Sequence, residues 1–257
     1  MKNSILLFVG LLISTLSFSQ TILVEKSIFN STKPIYLHSI NSDLGEVYFS
    51  TSQKKSLLYY KIDKDLVVED KTITASKFKG FVRLNEVYSL VQYENRLDII
   101  SSLSTSDQYT LIHSTEGVSI SSITYDAELN LFYTLSGDNV LEIELTQDEI
   151  IRIDTTLQSF NVEGKPQRLS SFKGKPFISV AYGLDLSDIY MVDSNAVLKL
   201  RYPINYDAQN IGIEFLNDDT LFVSRNLRPG ESELVMIYAS NISRHPDSLY
   251  LDKINND

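Results

Sequence analysis

The segment Gly45-Glu46-Val47-Tyr48-Phe49 is the first of five similar aromatic-bearing segments that decide the fold. The other four are Asn85-Glu86-Val87-Tyr88, Leu129-Asn130-Leu131-Phe132, Gly174-Lys175-Pro176-Phe177 and Asp219-Thr220-Leu221-Phe222. Each carries an aromatic anchor, and the anchors lie 40, 44, 45 and 45 residues apart: Tyr48, Tyr88, Phe132, Phe177 and Phe222. A repeat of this length is typical of architectures in which one unit cannot bury its apolar surface alone.

Each anchor belongs to a group of four short apolar runs. These runs are rich in Ile, Val, Leu, Tyr and Phe and are separated by Asn, Asp, Ser, Lys and Gly, which predicts short strands joined by turns. In the third unit the runs are Ile120–Tyr125, Leu131–Leu135, Val140–Leu145 and Ile150–Ile153. The sequence therefore predicts an all-β chain in which each unit is a four-stranded antiparallel meander.

Several of these strands are apolar on both faces, as in Leu131-Phe132-Tyr133 and Leu234-Val235-Met236-Ile237. A sandwich strand with one face in water would alternate apolar and polar residues. A unit that packs between two other units is covered on both sides. The pattern resembles the secreted β-propeller architecture over the whole mature chain and implies five blades of four strands, with six blades as the alternative. The Trp-Asp dipeptide, the kelch double glycine and the Asp box are missing, so the resemblance is to the architecture and to no named family.

The first residues have the features of a secretory signal peptide. Lys2 precedes an apolar run from Ile5 to Ile13, and small residues Ser17 and Ser19 stand at the −3 and −1 positions of a cut before Gln20. A transmembrane anchor needs about 20 continuous apolar residues, and serine and threonine interrupt this run too early. We therefore predict a signal peptide over residues 1–19 and one domain over residues 20–257, secreted or periplasmic and not inserted in a membrane.

The net charge limits the kinds of partner that the chain can bind, and the lack of cysteine limits how its fold is stabilised. The chain has 33 acidic and 23 basic residues, a net charge of −10, which becomes −11 when Lys2 leaves with the leader. An acidic balance disfavours nucleic acid, because binding to phosphates depends on Lys and Arg. The chain has no cysteine, so burial alone must hold the fold. We expect a monomer.

The run Thr21–Glu25 is left over from the five units and is predicted to join the two ends of the repeat array. Within it, Ile22–Glu25 would pair at the outer edge of the unit that holds Leu249–Leu251, or replace the outermost strand of that unit. Pairing of this kind closes a ring without adding a blade.

Five residues are candidate ligand-binding positions: Arg83, Arg168, Asp185, Arg225 and Arg228. Arg83 and Arg168 fall in predicted innermost strands and are candidates to face a central channel, with pairing to a carboxylate as the alternative role. The others lie in the connections 182–188 and 225–233, which look longer than their counterparts in the first three units. Arginines in such loops predict an anion- or carboxylate-binding rim, and a solvated hairpin loop is the alternative.

Catalytic motifs are scarce. There is no Gly-x-Ser-x-Gly, no phosphate-binding glycine loop and no EF-hand run, and His38, His113 and His245 lack metal-ligand spacing. We therefore predict no metal and no cofactor. Glycoside hydrolysis needs two carboxylates, and the predicted innermost strands offer only Glu214, with Asp126 just after one.

Three functions follow as hypotheses. The first is a non-catalytic binding module that holds a protein or a glycan at its rim or channel mouth. The alternative is a hydrolase or lyase acting on extracellular glycans, with acids at the channel mouth, and a structural component of an envelope assembly is a third possibility. Two carboxylates about 5–10 Å apart at that mouth would favour the enzyme.

Overall fold

The computed structural model describes residues 23–52, 56–74, 78–101, 110–116, 121–126, 131–136, 139–145, 151–159, 164–182, 186–193, 196–200, 209–217, 219–228, 230–239 and 250–254. This part of the chain is all-β and forms five antiparallel sheets. No helix in these ranges has the length and apolar character needed to cross a membrane.

In four of the sheets, four strands that are consecutive in the chain lie side by side in chain order, as the repeat predicted. The first sheet contains β2 (Ile35–Asn41), β3 (Glu46–Thr51), β4 (Ser56–Lys61) and β5 (Leu66–Thr74). The second contains β6 (Gly80–Arg83), β7 (Tyr88–Gln92), β8 (Arg96–Ser101) and β9 (Thr110–Glu116). The third contains β10 (Ser122–Asp126), β11 (Leu131–Ser136), β12 (Asn139–Leu145) and β13 (Ile151–Ser159). The fourth contains β14 (Lys165–Phe172), β15 (Lys175–Tyr182), β16 (Leu186–Asp193), β17 (Ala196–Leu200) and β21 (Tyr250–Ile254).

The fifth sheet joins the two ends of the chain. It contains β18 (Gln209–Asn217), β19 (Thr220–Arg228), β20 (Glu231–Ala239) and, on the outer side of β20, β1 (Leu23–Ser31). Of the two pairings that the sequence left open for the first strand, the observed one has β1 in place of the outermost strand. Glu25 lies opposite Ile237 in this antiparallel ladder.

The first strand of each sheet contacts the first strands of its two neighbours. We call β2, β6, β10, β14 and β18 the inner strands. β2 contacts β6, β6 contacts β10, β10 contacts β14, β14 contacts β18, and β18 contacts β2. The contacts thus lead from the fifth sheet back to the first.

The apolar core is divided into five clusters in the described residues, and each lies between two neighbouring sheets. Val47 and Phe222 meet in the cluster between the first and fifth sheets, and Phe177 packs with Ile213 between the fourth and fifth. The remaining clusters occupy the gaps from the first sheet to the second, the second to the third, and the third to the fourth. Since each gap contains its own cluster, the two-sided apolar strands are explained by burial on both faces.

The aromatic anchors pack between sheets, as expected, but not in equivalent places. Phe132 and the partly buried Tyr88 both pack in the cluster between the second and third sheets. Between the third and fourth sheets the aromatic of β11 is instead Tyr133. The prediction of equivalent wedges was wrong for this unit, because neighbouring residues of a strand face opposite sides and a shift of one residue exchanges the faces.

The last strand of the chain does not belong to the fifth unit. The sequence assigned Leu249–Leu251 to it, whereas β21 pairs with β17 of the fourth sheet, with Tyr250 opposite Leu200. The assignment was wrong because β1 already occupies the outer edge of β20. The C-terminal segment therefore pairs with a neighbouring edge.

The segment 225–233 was predicted to be an irregular connection, with a hairpin loop as the alternative, and it is a hairpin. β19 extends to Arg228 and β20 begins at Glu231, and the turn contains Gly230 at a φ of 89°. Charged residues suggested a loop, but Arg225 is buried and paired in the ladder, so its charge is compatible with a strand.

Candidate functional site

A cleft lies where four inner strands end. Its lining comes from the last residues of β2, β10, β14 and β18 and from the turns that follow them, and its volume is about 130 Å³. Acidic, basic and aromatic groups line it: Tyr125, Asp126, Phe172, Lys173, Glu214 and Phe215. It therefore contains the two acids that the sequence placed within and just after predicted innermost strands.

Glu214 is a buried acid in the wall of this cleft. It lies in β18 opposite Phe222 and is 5% exposed. No hydrogen bond or ion pair joins its carboxyl to another described residue. Burial raises the pKa of Glu214 well above the usual 4.5, and the charge of Arg168 opposes this only in part. The carboxyl group is thus suited to keep its proton at pH values where an exposed glutamate is ionised.

Asp126, the last residue of β10, has a different environment. Its Oδ2 accepts a hydrogen bond of 2.6 Å from the backbone N–H of Gly174. Gly174 and Lys173 both have positive φ in the turn between β14 and β15, so Asp126 also fixes the turn that places Lys173 at the cleft. Glu214 has no such donor among the described residues.

Arg168 reaches across the space between the inner strands. It is a partly exposed residue of β14, its Nη1 donates a hydrogen bond of 3.2 Å to the carbonyl of Lys79, and its guanidinium lies 5.2 Å from the ring centre of Tyr36. Tyr36 is near the start of β2 and Lys79 directly precedes β6. Arg168 thus joins three sheets at the starts of the inner strands, the end opposite the cleft.

His38 is buried close to this arginine. Its Nε2 is 2.9 Å from the hydroxyl of Ser50, its ring packs 5.2 Å from Phe78, and its Nδ1 is buried without a partner among the described residues. Burial lowers the pKa of His38 well below 6.5, and the positive charge of Arg168 acts in the same direction. His38 is therefore a neutral side chain.

Of the other sequence candidates, Arg83 and Arg225 do not line the cleft. Arg83 donates hydrogen bonds to the hydroxyl of Ser89 and to the carbonyl of Glu86. Arg225 makes ion pairs with Glu25 at 3.0 Å and with Glu233 at 2.8 Å. Asp185 and the side chain of Arg228 lie outside the described residues, as do His245 and the side chain of His113.

Arg225 thus binds acids of its own sheet. Its two terminal nitrogens contact both oxygens of Glu25, and only 9% of its side chain is exposed. This fork joins β19 to β1 and fixes the added strand.

Sequence reasoning missed a set of buried hydroxyl groups two residues after four of the anchors. They lie on the second strands of their sheets: Ser50, Thr134, Ser179 and Ser224. The Ser224 hydroxyl accepts a hydrogen bond from the backbone N–H of Gly212 on the inner strand, and the Ser50 hydroxyl is hydrogen-bonded to Nε2 of His38. The recurring small polar residue was the available signal. Ser50 and Ser224 satisfy polar groups of the inner strands, whereas the buried hydroxyls of Thr134 and Ser179 have no hydrogen-bond partner among the described residues.

No protein-family model matches the chain, and no curated protein sequence is significantly similar to it. Solved structures do share its fold. A luciferin-regenerating enzyme has a TM-score of 0.52 and 11% identity over 86% of this chain and 96% of its own. A protein of unknown function from Bacteroides thetaiotaomicron has a TM-score of 0.50 and 9% identity over 86% of this chain and 77% of its own.

An engineered GH43 glycoside hydrolase, described as having endo-xylanase and exo-arabinofuranosidase activity, has a TM-score of 0.53 and 12% identity over 84% of this chain. The match spans 51% of the hydrolase. The neighbours include proteins of β-propeller type. The likeness is one of fold. In the described residues, no group of three or more His, Asp or Glu side chains is arranged to hold a metal ion.

Proposed function

We propose that this chain is a secreted or periplasmic five-bladed β-propeller whose channel mouth is an acid–base site for glycans. The contacts that return from β18 to β2 and the five inter-sheet cores support the blade count and the closed ring. The apolar leader at residues 1–19 supports export. The observation that carries the function is that Glu214 and Asp126 line one cleft in unlike environments.

Two carboxyl groups, one that donates a proton and one that acts as a base or nucleophile, are the usual chemical requirement for glycosidic bond cleavage. Glu214, buried without a hydrogen-bond partner among the described residues, would donate a proton to the oxygen of the leaving sugar. Asp126, held by the Gly174 N–H, would act as the carboxylate that activates water or stabilises positive charge on the ring. Lys173 beside them would bind hydroxyl or carboxylate groups of the sugar.

The size of the cleft limits the substrate. Pockets for drug-sized ligands measure about 300–1,000 Å³, whereas this one measures about 130 Å³. A cleft of this volume accepts one small group, such as one sugar ring of a longer chain, with the rest of the ligand on the open rim.

The test uses residues 20–257 of the protein against a panel of plant and bacterial polysaccharides, with release of reducing ends and formation of unsaturated sugars as the two readouts. We expect Glu214→Gln and Asp126→Asn each to lower the rate at least about 100-fold, as for loss of an acid or base catalyst. Glu231→Gln, at the exposed acid with which β20 begins, is the matched control and should retain activity. Equal rates in the Glu214 and Glu231 variants would refute the site.

A non-catalytic binding module is the second candidate function. The small cleft volume and the structural hydrogen bond from Gly174 to Asp126 favour it, because both fit a site that only holds a ligand. If glycan binding is measured by calorimetry with no product after prolonged incubation, and Glu214→Gln weakens that binding, the binding module is the correct function.

A further inference from the structure

Arg168 is a positively charged group without an ionic partner in the described structure. One of its N–H groups donates to the Lys79 carbonyl, and the others make no hydrogen bond to a described residue. No ion pair joins it to a described carboxylate. This distinguishes it from Arg225, whose guanidinium binds both Glu25 and Glu233.

The groups around Arg168 do not neutralise its charge. Glu214 is the carboxyl group that interacts electrostatically with Arg168, but burial raises the pKa of that carboxyl and favours its neutral form. His38 is neutral because its pKa is lowered. Tyr36 presents its ring face to the guanidinium. A partly buried cation without a counterion has an unfavourable free energy, which an anionic ligand would lower.

We propose that Arg168 is the centre of a binding site for a small oxyanion, a carboxylate or a phosphate, at the starts of the inner strands. The planar guanidinium offers parallel N–H donors that match the two oxygens of such a group. The Lys79 carbonyl and the Tyr36 ring hold the fork in place, so little side-chain freedom is lost on binding. This site is separate from the cleft, which lies at the other ends of the same strands.

The experiment measures the melting temperature of residues 20–257 with increasing sodium phosphate and with increasing sodium malonate, against sodium chloride at equal ionic strength. Wild type should show a saturable rise of about 5–10 °C at a concentration roughly 100 times Kd. Arg168→Gln should lose the rise, and Arg168→Lys should bind at least about tenfold more weakly because lysine lacks the fork. Arg83→Gln should retain it, since Arg83 already donates to Ser89 and Glu86.

A stronger effect of malonate assigns the site to carboxylates, and a stronger effect of phosphate assigns it to phosphates. A rise that persists in Arg168→Gln, or one that chloride reproduces, overturns the proposal. If the glutamine variant does not fold by circular dichroism, the comparison of Arg168→Lys with Arg83→Gln decides the outcome. Polysaccharide cleavage is not a readout here, so failure of this site leaves the proposed function untouched.

Discussion

Replacement of Phe222 by alanine should strongly weaken the contact between the last sheet and the first. Its side chain is fully buried, with 0% exposure, in the cluster that also contains Ile35, Phe49 and Tyr60, and its ring centre lies 6.1 Å from that of Tyr60. Truncation of a buried Phe costs about 3–5 kcal/mol. At about 2–4 °C per kcal/mol for a chain of this size, the melting temperature should fall by roughly 6–20 °C.

The matched control is Tyr88→Ala, at the same position of the repeat. Tyr88 is only partly buried, so its loss should lower the free energy of unfolding by about 1–2 kcal/mol. Urea unfolding followed by circular dichroism and tyrosine fluorescence measures both variants, since the chain has no tryptophan. A cost below about 1 kcal/mol for Phe222→Ala, or a larger cost for Tyr88→Ala, would refute the packing of the first and last sheets around this ring.

Three further predictions concern the strand that joins the ends, the inner strands and the acid in the cleft. Arg225→Gln leaves Glu25 and Glu233 without their partner and should lower the free energy of unfolding by about 1–3 kcal/mol. The loss is smaller than for a fully buried pair because Glu25 is partly exposed. Urea denaturation at low and high salt measures this free energy, and an unchanged value would contradict the role of the ion pair. Gly212→Ala would place a Cβ 2.8 Å from the Ser224 hydroxyl and 2.9 Å from the Leu37 Cβ, so we expect a loss of about 1–3 kcal/mol. Gly45→Ala, where a Cβ meets nothing within 4 Å and φ is +60°, should cost only about 1–2 kcal/mol of backbone strain. Because folding raises the pKa of Glu214, the stability of wild type relative to Glu214→Gln should fall as the pH rises from the unfolded value near 4.5 through the folded pKa; parallel pH profiles of the two proteins would contradict this.

The sequence predicted the strand order because the repeat recurs in chain order and each strand pairs with the next. It did not predict the partner of the last strand, because pairing between segments distant in the chain depends on which edges are still open. The pairing of Tyr250 with Leu200 has no signature in the residues themselves. The spacing of the aromatic residues also does not show which face of a strand each one occupies, so the opposite faces of Phe132 and Tyr133 could not be predicted.

Only part of the candidate site could be predicted from the sequence. The sequence placed Glu214 within a predicted innermost strand and Asp126 just after one, but it selected neither as a candidate site residue. The structure brings both to one cleft. Their different environments depend on burial and on the Gly174 N–H, neither of which the sequence shows. Arg225 looked like a rim residue because its partner Glu25 lies 200 positions away in the chain.

That distance has a consequence for how the molecule folds. β1 is the first strand of the domain to leave the ribosome, yet its ladder partner β20 is among the last. Contacts between residues so far apart in the chain slow folding. The entropy of closing the long intervening loop is lost before the contacts contribute any stabilising free energy. We expect the early sheets to form while β1 is still unpaired, with capture of β1 by β20 as the final and slowest step. Moving residues 23–31 to a position after β20 should make that contact local and accelerate folding.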